Sequence, residues 1–472
     1  MEPTKDLITG RKPAYTEERN GKYLVIWPDI PNWMVVDEEA FLFIKEIEGP
    51  HTREEIKQKY QSISKSSDEE MMEAIINTFI NAYILYPAAD EPPRFFVPGG
   101  KLKSVVVHPT NRCNLRCIMC YNKDILLSPH EITEELTAEE FIDFLDQVAP
   151  YLEEKDTDLQ ILGGEPLIVP EKSLKIAEYG CELMGAATLS TNGTLITKDF
   201  AQKAASIEDL VVQVSLDSPY EKTHEAIRGK GTYAQAIGGI KTLVKEGATT
   251  VMSMTCNKEN VCELEQYYTL ALQLGVTSAR FIPFQEAGGG INCSLEMPHL
   301  PRFAEEVFGM FRKNHHFWKM MSSDFLSTLA RSCRTCGVQK WCGAGLRLVL
   351  LDPHGDVYPC PNHYLPKFKA GNIKQESFQK IWEDSPVLKD LREKYPVEVL
   401  NEQCAACYVR HWCAGWCRGA TYQITGKMTN PSVQCEEIKE MLVDMFFRLS
   451  DDQGVFGNLT KNFGKPLSMN QL

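Results

Sequence analysis

No cysteine precedes Cys113, although the 472-residue chain contains 16 of them. That gap rules out a disulfide framework spread over the whole chain. Basic residues are also in short supply. The formal net charge is −14 and the pI is about 5.3, which argues against a general nucleic-acid or anionic-membrane surface. Long apolar runs are missing, and Leu346 to Leu351 is typical of the short ones present. A membrane-spanning helix needs about 20 apolar residues in succession. The first residues, Met1 to Asp6, lack the apolar core of a signal peptide. These absences lead to the expectation of a soluble, cytoplasmic protein with neither nucleic acid nor membrane as partner.

What is present is ordinary globular composition, 43% hydrophobic and 24% charged, enough to bury sizeable cores. The length implies two to four domains. Cysteine use is uneven. Three lie between Cys113 and Cys120, and nine lie between Cys333 and Cys435, ends included. A reducing compartment keeps thiols free, so metal or cluster ligation is the natural reading of such groups.

The central stretch runs from His108 to Tyr121 and spaces Cys113, Cys117 and Cys120 as C-x3-C-x2-C. Three thiolates on one loop can hold three irons of a four-iron cluster and leave the fourth open for reaction. A partial zinc site and a set of packed thiols are the plain alternatives. The run Val105 to Val107 ahead of the loop reads as a short buried strand. Further strands are expected at Leu159 to Leu162, Ala187 to Ser190, Leu210 to Val214, Val251 to Thr255 and Ala279 to Pro283. Helical patterns separate them, such as the one opened by the capping box Thr137 to Glu140, with Phe141, Phe144, Leu145 and Val148 on one face. Polar or glycine-containing turns follow the strands: Gly163-Gly164-Glu165, Thr191-Asn192, Ser215-Leu216-Asp217 and Gly288 to Gly290. Repeated βα units imply a parallel sheet with its site at the strands' C-terminal ends.

Residues 1–95 form a separate unit. Strands are expected at Tyr23 to Trp27 and Trp33 to Val36, then three helices, two of them opened by capping boxes at Thr52 and Ser67. This is a small winged-helix-like domain without a basic recognition helix, so peptide capture on a sheet edge is favoured over nucleic-acid binding. The stretch Ala88 to Gly100 reads as a linker, and residues 451–472 as a polar tail. The C-terminal third places Cys336, Cys342 and Cys360 ahead of Cys404, Cys407, Cys413 and Cys417, with Cys435 last. The spacing from Cys404 to Cys417 by itself suits a zinc ribbon as well as a cluster.

Taken together, the cysteine loop and the ordered turns resemble the radical S-adenosylmethionine (SAM) enzymes over residues 101–320. That resemblance implies an α/β fold, a partial (β/α)6 barrel flanked by the winged-helix-like α+β domain and a cysteine-rich iron–sulfur domain. It implies a [4Fe–4S] cluster on Cys113, Cys117 and Cys120 that binds SAM. Tyr121 would lie beside the adenine, and Gly163, Gly164 and Glu165 would receive the methionyl amine. Ser190 and Asn192 would face the SAM tail, Ser215 and Asp217 the ribose, and Arg228 the SAM carboxylate. Residues 330–450 resemble the SPASM extension, which carries two auxiliary [4Fe–4S] clusters. By that resemblance Cys336, Cys342, Cys360 and Cys417 hold one, and Cys404, Cys407, Cys413 and Cys435 the other. Cys181, Cys256, Cys262, Cys293 and Cys333 remain, most of them expected to be packed thiols. Cys333 could be a swapped ligand and Cys293 could face the substrate cavity.

The first unit resembles the PqqD-like RiPP recognition element, which binds the leader segment of a ribosomally made peptide. The three parts together imply a maturase that joins a cysteine sulfur to a peptide carbon, as in sactipeptides and ranthipeptides. The partners implied are a precursor peptide with a leader segment and a low-potential electron donor of the flavodoxin or ferredoxin type. Carbon–carbon crosslinking, epimerisation, decarboxylation and sulfatase-maturing oxidation are the neighbouring chemistries. Pro361 after Cys360 stands where the last of these has an Asp base. A redox-sensing regulator and a zinc-stabilised scaffold are the alternatives from other classes.

Overall fold

The computed structural model describes residues 7–65, 68–87, 101–131, 134–153, 157–320 and 340–451. The expected linker, the tail, Cys333 and Cys336 lie outside these residues.

The N-terminal unit holds β1 (Leu7–Gly10), β2 (Tyr15–Arg19), β3 (Lys22–Trp27), β4 (Asn32–Val36), β5 (Gly49–Thr52) and β6 (Leu85–Pro87). They form two antiparallel sheets, ordered β2-β3-β4 and β5-β1-β6. Asn20 and Gly21 both take positive φ, 53° and 75°, which is the two-residue turn that matches strand twist in a hairpin. The helices Glu38–Glu46, Arg53–Ser64 and Glu69–Asn81 complete the unit. The Thr52 capping box forms with both of its bonds. The third helix is capped by Asp68, which accepts from the Met71 N–H; Ser67, the expected cap, lies outside the described residues. Val25, Trp27, Phe43, Ile44, Ile56, Ile76 and Phe79 make the unit's own core.

The central sheet begins with β7 (Ser104–Val107), β8 (Asp158–Ile161), β9 (Ala187–Thr191), β10 (Leu210–Ser215), β11 (Thr250–Cys256) and β12 (Ser278–Pro283). These six strands are parallel neighbours in chain order. Alternation along them separates two faces. Val105, Val107, Leu159, Ile161, Leu189, Val212, Val214 and Phe281 join the main core with the surrounding helices. Val106 turns the other way, into a small cluster with Leu350, Tyr358 and Tyr364. Burial of both faces is what a parallel sheet requires.

The sheet does not stop at β7. Three more strands, β13 (Leu348–Leu351), β14 (Asp356–Tyr358) and β15 (Gly371–Asn372), continue it from the cysteine-rich region. β13 runs parallel to β7, with Val349 opposite Val105. The final helix, Cys435–Asp451, packs on the helix Leu300–Lys313 and also reaches the N-terminal unit. There Trp33 meets Phe446 at 4.6 Å, Tyr15 stacks on Tyr408 at 3.8 Å, and Arg19 pairs with Asp444 at 3.2 Å. Arg410 is also paired with Asp29. Among the described residues no helix is long and apolar enough to cross a membrane.

Candidate active site

The loop after β7 brings Cys113, Cys117 and Cys120 to the C-terminal edge of the sheet. The loop after β8 is bonded directly to it. Gly164 N–H donates to the Thr110 carbonyl at 2.9 Å, and Glu165 N–H to the Arg112 carbonyl at 2.8 Å. Gly163 has φ +115°, and a Cβ there would lie 2.6 Å from the Thr110 oxygen. A Cβ on Gly164 would collide with the Arg112 carbonyl. The glycines therefore let one backbone approach another closely.

Glu165 is fully buried and is held from three sides. Its carboxylate accepts from Leu167 N–H at 3.0 Å, Thr191 Oγ1 at 2.6 Å and Asn192 N–H at 2.8 Å. Burial raises its pKa, and these donors together with Arg228 oppose the rise. Asn192 also donates to Asn114 of the cysteine loop at 2.9 Å, and Asn114 donates to Thr194 at 2.8 Å. Asn114 was not singled out by the sequence, where one more Asn in a polar loop carries no signal.

Asp217, after β10, accepts from Arg228 Nε at 2.5 Å and from Thr255 N–H at 3.0 Å. The Arg228 Nη1 comes within 4.0 Å of Cys117 Sγ. Burial alone would lower the Arg228 pKa, but Asp217 and Cys117 hold it above its usual value. Ser190 lies on β9 and Ser215 ends β10. Tyr121 stands at the rim, 37% exposed. The structure thus gathers the sequence-derived residues on adjacent turns at one edge of the sheet.

The donor set fits an iron–sulfur cluster. Burial pushes the Cys113 thiol up to about 12 and the Cys120 thiol up to about 11, and it raises Cys117 while Arg228 pulls that thiol back. Three soft sulfur donors on one loop are the type of ligand that iron–sulfur clusters take, and Arg228 lies beside one of them. The neutral amides and hydroxyls around Asn114 and Asn192 suit a polar zwitterionic tail.

The described C-terminal cysteines fall into two groups. Cys404, Cys407, Cys413 and Cys435 line one small pocket, with Arg410 and Lys439 at its wall. Cys360 is raised well above its usual pKa by burial and then by the charges of Cys342 and Cys417. Asn362 donates to Cys417 Sγ at 3.1 Å, and His363 Nδ1 is 3.1 Å from Cys360 Sγ. Cys413 and Cys417 are close in sequence yet belong to different groups. Ala414, Gly415 and Trp416 between them all have positive φ, 50°, 74° and 60°, which reverses the chain there. Gln423 links this region to the barrel. It accepts from Gly288 N–H at 2.7 Å and donates to the Asn362 carbonyl at 2.8 Å. Gly289 N–H in turn donates to the Cys120 carbonyl at 2.9 Å.

Of the remaining cysteines, Cys256 is buried and Cys181 and Cys293 are half-buried. Cys262 is exposed on a short turn, Val261–Glu263, so it is not the packed thiol expected.

Comparison with known proteins adds to this geometry. Residues 107–271 match the radical SAM superfamily, and residues 342–408 match the SPASM iron-sulfur cluster-binding domain. Those domains imply [4Fe–4S] clusters and SAM. The mycofactocin maturase MftC of Mycolicibacterium smegmatis is 28% identical over 331 residues, 70% of this chain and 81% of that one. The AdoMet-dependent heme synthase of Methanosarcina barkeri is 30% identical over 343 residues, 69% of this chain and 94% of that one. The subtilosin biosynthesis protein AlbA of Bacillus subtilis is 26% identical over 317 residues, covering 64% and 66%. Two solved structures share the fold. Native anSMEcpe with bound AdoMet has a TM-score of 0.58 at 18% identity, covering 74% of this chain and 99% of that one. Streptococcus suis SuiB bound to its precursor peptide SuiA has a TM-score of 0.55 at 16% identity, covering 91% and 98%.

Proposed function

Because the chain belongs to the radical SAM superfamily and carries a SPASM domain, we propose that it is a peptide maturase that forms a thioether from a cysteine of its substrate. In this reading residues 1–95 bind the leader segment, residues 101–320 are the SAM-cleaving core, and residues 330–450 hold two auxiliary clusters. Cys113, Cys117 and Cys120 ligate the SAM-binding cluster. Cys342, Cys360 and Cys417, with Cys336, ligate one auxiliary cluster, and Cys404, Cys407, Cys413 and Cys435 the other. When bound and reduced by a flavodoxin- or ferredoxin-type donor, cluster and SAM supply a deoxyadenosyl radical that takes hydrogen from carbon.

The observation that carries the peptide reading is the N-terminal unit. Among the described residues β4 has β3 as its single strand neighbour, which supports a reading in which a peptide strand adds to its other edge. The unit packs through Trp33 on Phe446 of the helix that begins with Cys435, which supports a reading in which leader capture and the cysteine-rich domain work together. The named activities of MftC and AlbA support a peptide substrate. The heme synthase relative, at 30% identity, favours one other reading, a tetrapyrrole substrate.

The test is co-expression with the short peptide encoded nearest this gene, followed by intact mass and thiol counting after alkylation. Loss of two hydrogens together with one alkylatable thiol per event supports the thioether. Loss of two hydrogens with all thiols retained replaces it with a carbon–carbon bond or a desaturation. An unmodified peptide, with a porphyrin consumed in parallel assays, would overturn the peptide reading.

A further inference from the structure

The helix Arg418–Thr425 starts at Cys417, whose side chain caps it by accepting from Ala420 N–H. One residue outside the helix is held to it at two points. Asn362, two residues past Cys360, donates its Nδ2 to Cys417 Sγ at 3.1 Å, and its backbone carbonyl accepts from Gln423 Nε2 at 2.8 Å. Gly419 makes room for that carbonyl, since a Cβ there would lie 2.5 Å from the oxygen. The other end of the Gln423 amide faces the barrel, where Oε1 accepts from Gly288 N–H at 2.7 Å. One partner can only donate and the other only accept, so the orientation of this amide is fixed.

The barrel end of the row is closely packed. Gly288 takes φ +54°, and a Cβ on it would collide with the Tyr121 carbonyl. Its neighbour Gly289 donates its N–H to the Cys120 carbonyl at 2.9 Å. The row therefore starts on the loop that backs Cys120 and ends on a sulfur of the cysteine-rich region. The other cysteine group is served differently. Asn401 donates to Cys404 Sγ at 3.4 Å and Gln403 to Cys435 Sγ at 3.3 Å. The further partners of these two amides, the Thr429 carbonyl and Glu436, lie within the cysteine-rich region itself.

A hydrogen bond to a cluster sulfur steadies the added negative charge of the reduced state, and such bonds help to set a cluster's potential. We propose that Asn362 raises the reduction potential of the auxiliary cluster on Cys360 and Cys417, and that Gln423 is the positioning residue that holds Asn362 in place from the barrel. The proposal rests on the reading of Cys360 and Cys417 as ligands of one cluster. Thioether formation gives up a hydrogen atom to the deoxyadenosyl radical, a thiol proton to water and one electron. The raised potential makes this cluster a ready acceptor of that electron.

The test is redox titration of the cluster-loaded full chain, followed by electron paramagnetic resonance. Cys417→Ala identifies the signal, which that variant should lose. Asn362→Leu removes the donor and keeps the backbone carbonyl for Gln423. The midpoint potential of this cluster is expected to fall, with those of the other two unmoved. Gln423→Leu keeps the donor but frees the turn that carries it, so the same potential should fall by less. The double variant should match Asn362→Leu, because Gln423 acts through Asn362. If Asn362→Leu leaves the potential unchanged, the tuning role is overturned. If it lowers the potential and Gln423→Leu does not, the positioning role of Gln423 is overturned. A Cys417→Ala protein that keeps all three cluster signals removes the ligand reading, and the proposal falls with it. Iron content and circular dichroism check loading and folding, and Asn362→Ala takes the place of Asn362→Leu should the latter lose iron.

Discussion

Arg228 reaches Asp217 with Nε at 2.5 Å, and Nη1 of the same guanidinium comes within 4.0 Å of Cys117 Sγ. One cation therefore joins the turn after β10 to the cysteine loop. Asp217 is completely buried, and its carbonyl is also bound, by Asn260 Nδ2 at 2.8 Å. It acts as a strut for Arg228 and is closed off from solvent.

Asp217→Asn should therefore leave a buried guanidinium without its counter-charge. Breaking such a pair costs about 3 kcal/mol or more. The melting temperature is expected to drop, and the midpoint potential of the SAM-binding cluster to rise, because a negative charge near Cys117 is gone. Unchanged melting and unchanged potential would show that Arg228 is anchored by something else.

Replacing Cys113, Cys117 and Cys120 together by Ala should remove the iron of one cluster and all 5′-deoxyadenosine formation. Iron bound by the C-terminal cysteines is expected to stay, since those line separate sites. Iron analysis with a deoxyadenosine assay checks both halves, and retained deoxyadenosine would refute the assignment of the loop.

Stability should fall in mild acid through His224. Its ring is fully buried, and Nδ1 accepts from Asp217 N–H at 3.1 Å, which requires the neutral form with its proton on Nε2. Burial lowers its pKa from 6.5 to about 4, with Asp217 and Glu225 opposing and Arg228 assisting. Above pH 6.5 the ring is neutral folded or unfolded and there is no linkage. As pH falls below that, the unfolded ring binds a proton the folded ring refuses, so stability is lost until about pH 4. The loss by pH 5 is about 2 kcal/mol. Urea unfolding at pH 7 and pH 5 should show this in the wild type and not in His224→Gln, whose oxygen can accept the same bond. Equal slopes in the two proteins would remove His224 as the cause.

Trp33→Ala should loosen the N-terminal unit. Trp33 is 7% exposed and packs on Phe446 of the final helix. Large aromatic truncations of this kind cost about 3–5 kcal/mol. Limited proteolysis is expected to release the unit faster from the variant, and an unaltered cleavage rate would mean that the Arg19–Asp444 and Arg410–Asp29 pairs suffice.

Much of this architecture was legible in the sequence because local pattern carried it. Val105 to Val107 and the five later strands appear within a residue or two of where alternation and turn residues placed them. Capping boxes at Thr52 and Thr137 formed with both bonds because their geometry needs only four successive residues. The hairpin of β2 and β3 was missed although Asn20-Gly21 signals it. What could not be read was non-local. Nothing near Leu348 says that it pairs with Ser104, and nothing near Gln423 says that it joins Gly288 to Asn362. The partnership of Arg228 with Asp217 is likewise a product of folding, since either residue alone looks ready for a ligand.

The pairing of β7 with β13 has a consequence for how the protein is made. Val105, Val106 and Val107 are translated about 240 residues before Leu348 to Leu351, their neighbours on one side. At ordinary synthesis rates that gap is on the order of ten to fifty seconds. Throughout it the nascent chain carries an uncovered valine edge, the kind of strand that recruits others. The cysteine-rich region thus acts as a late cover for the barrel as well as a holder of clusters. A fragment ending at residue 320 would keep that edge bare for good, and it should aggregate where the full chain does not.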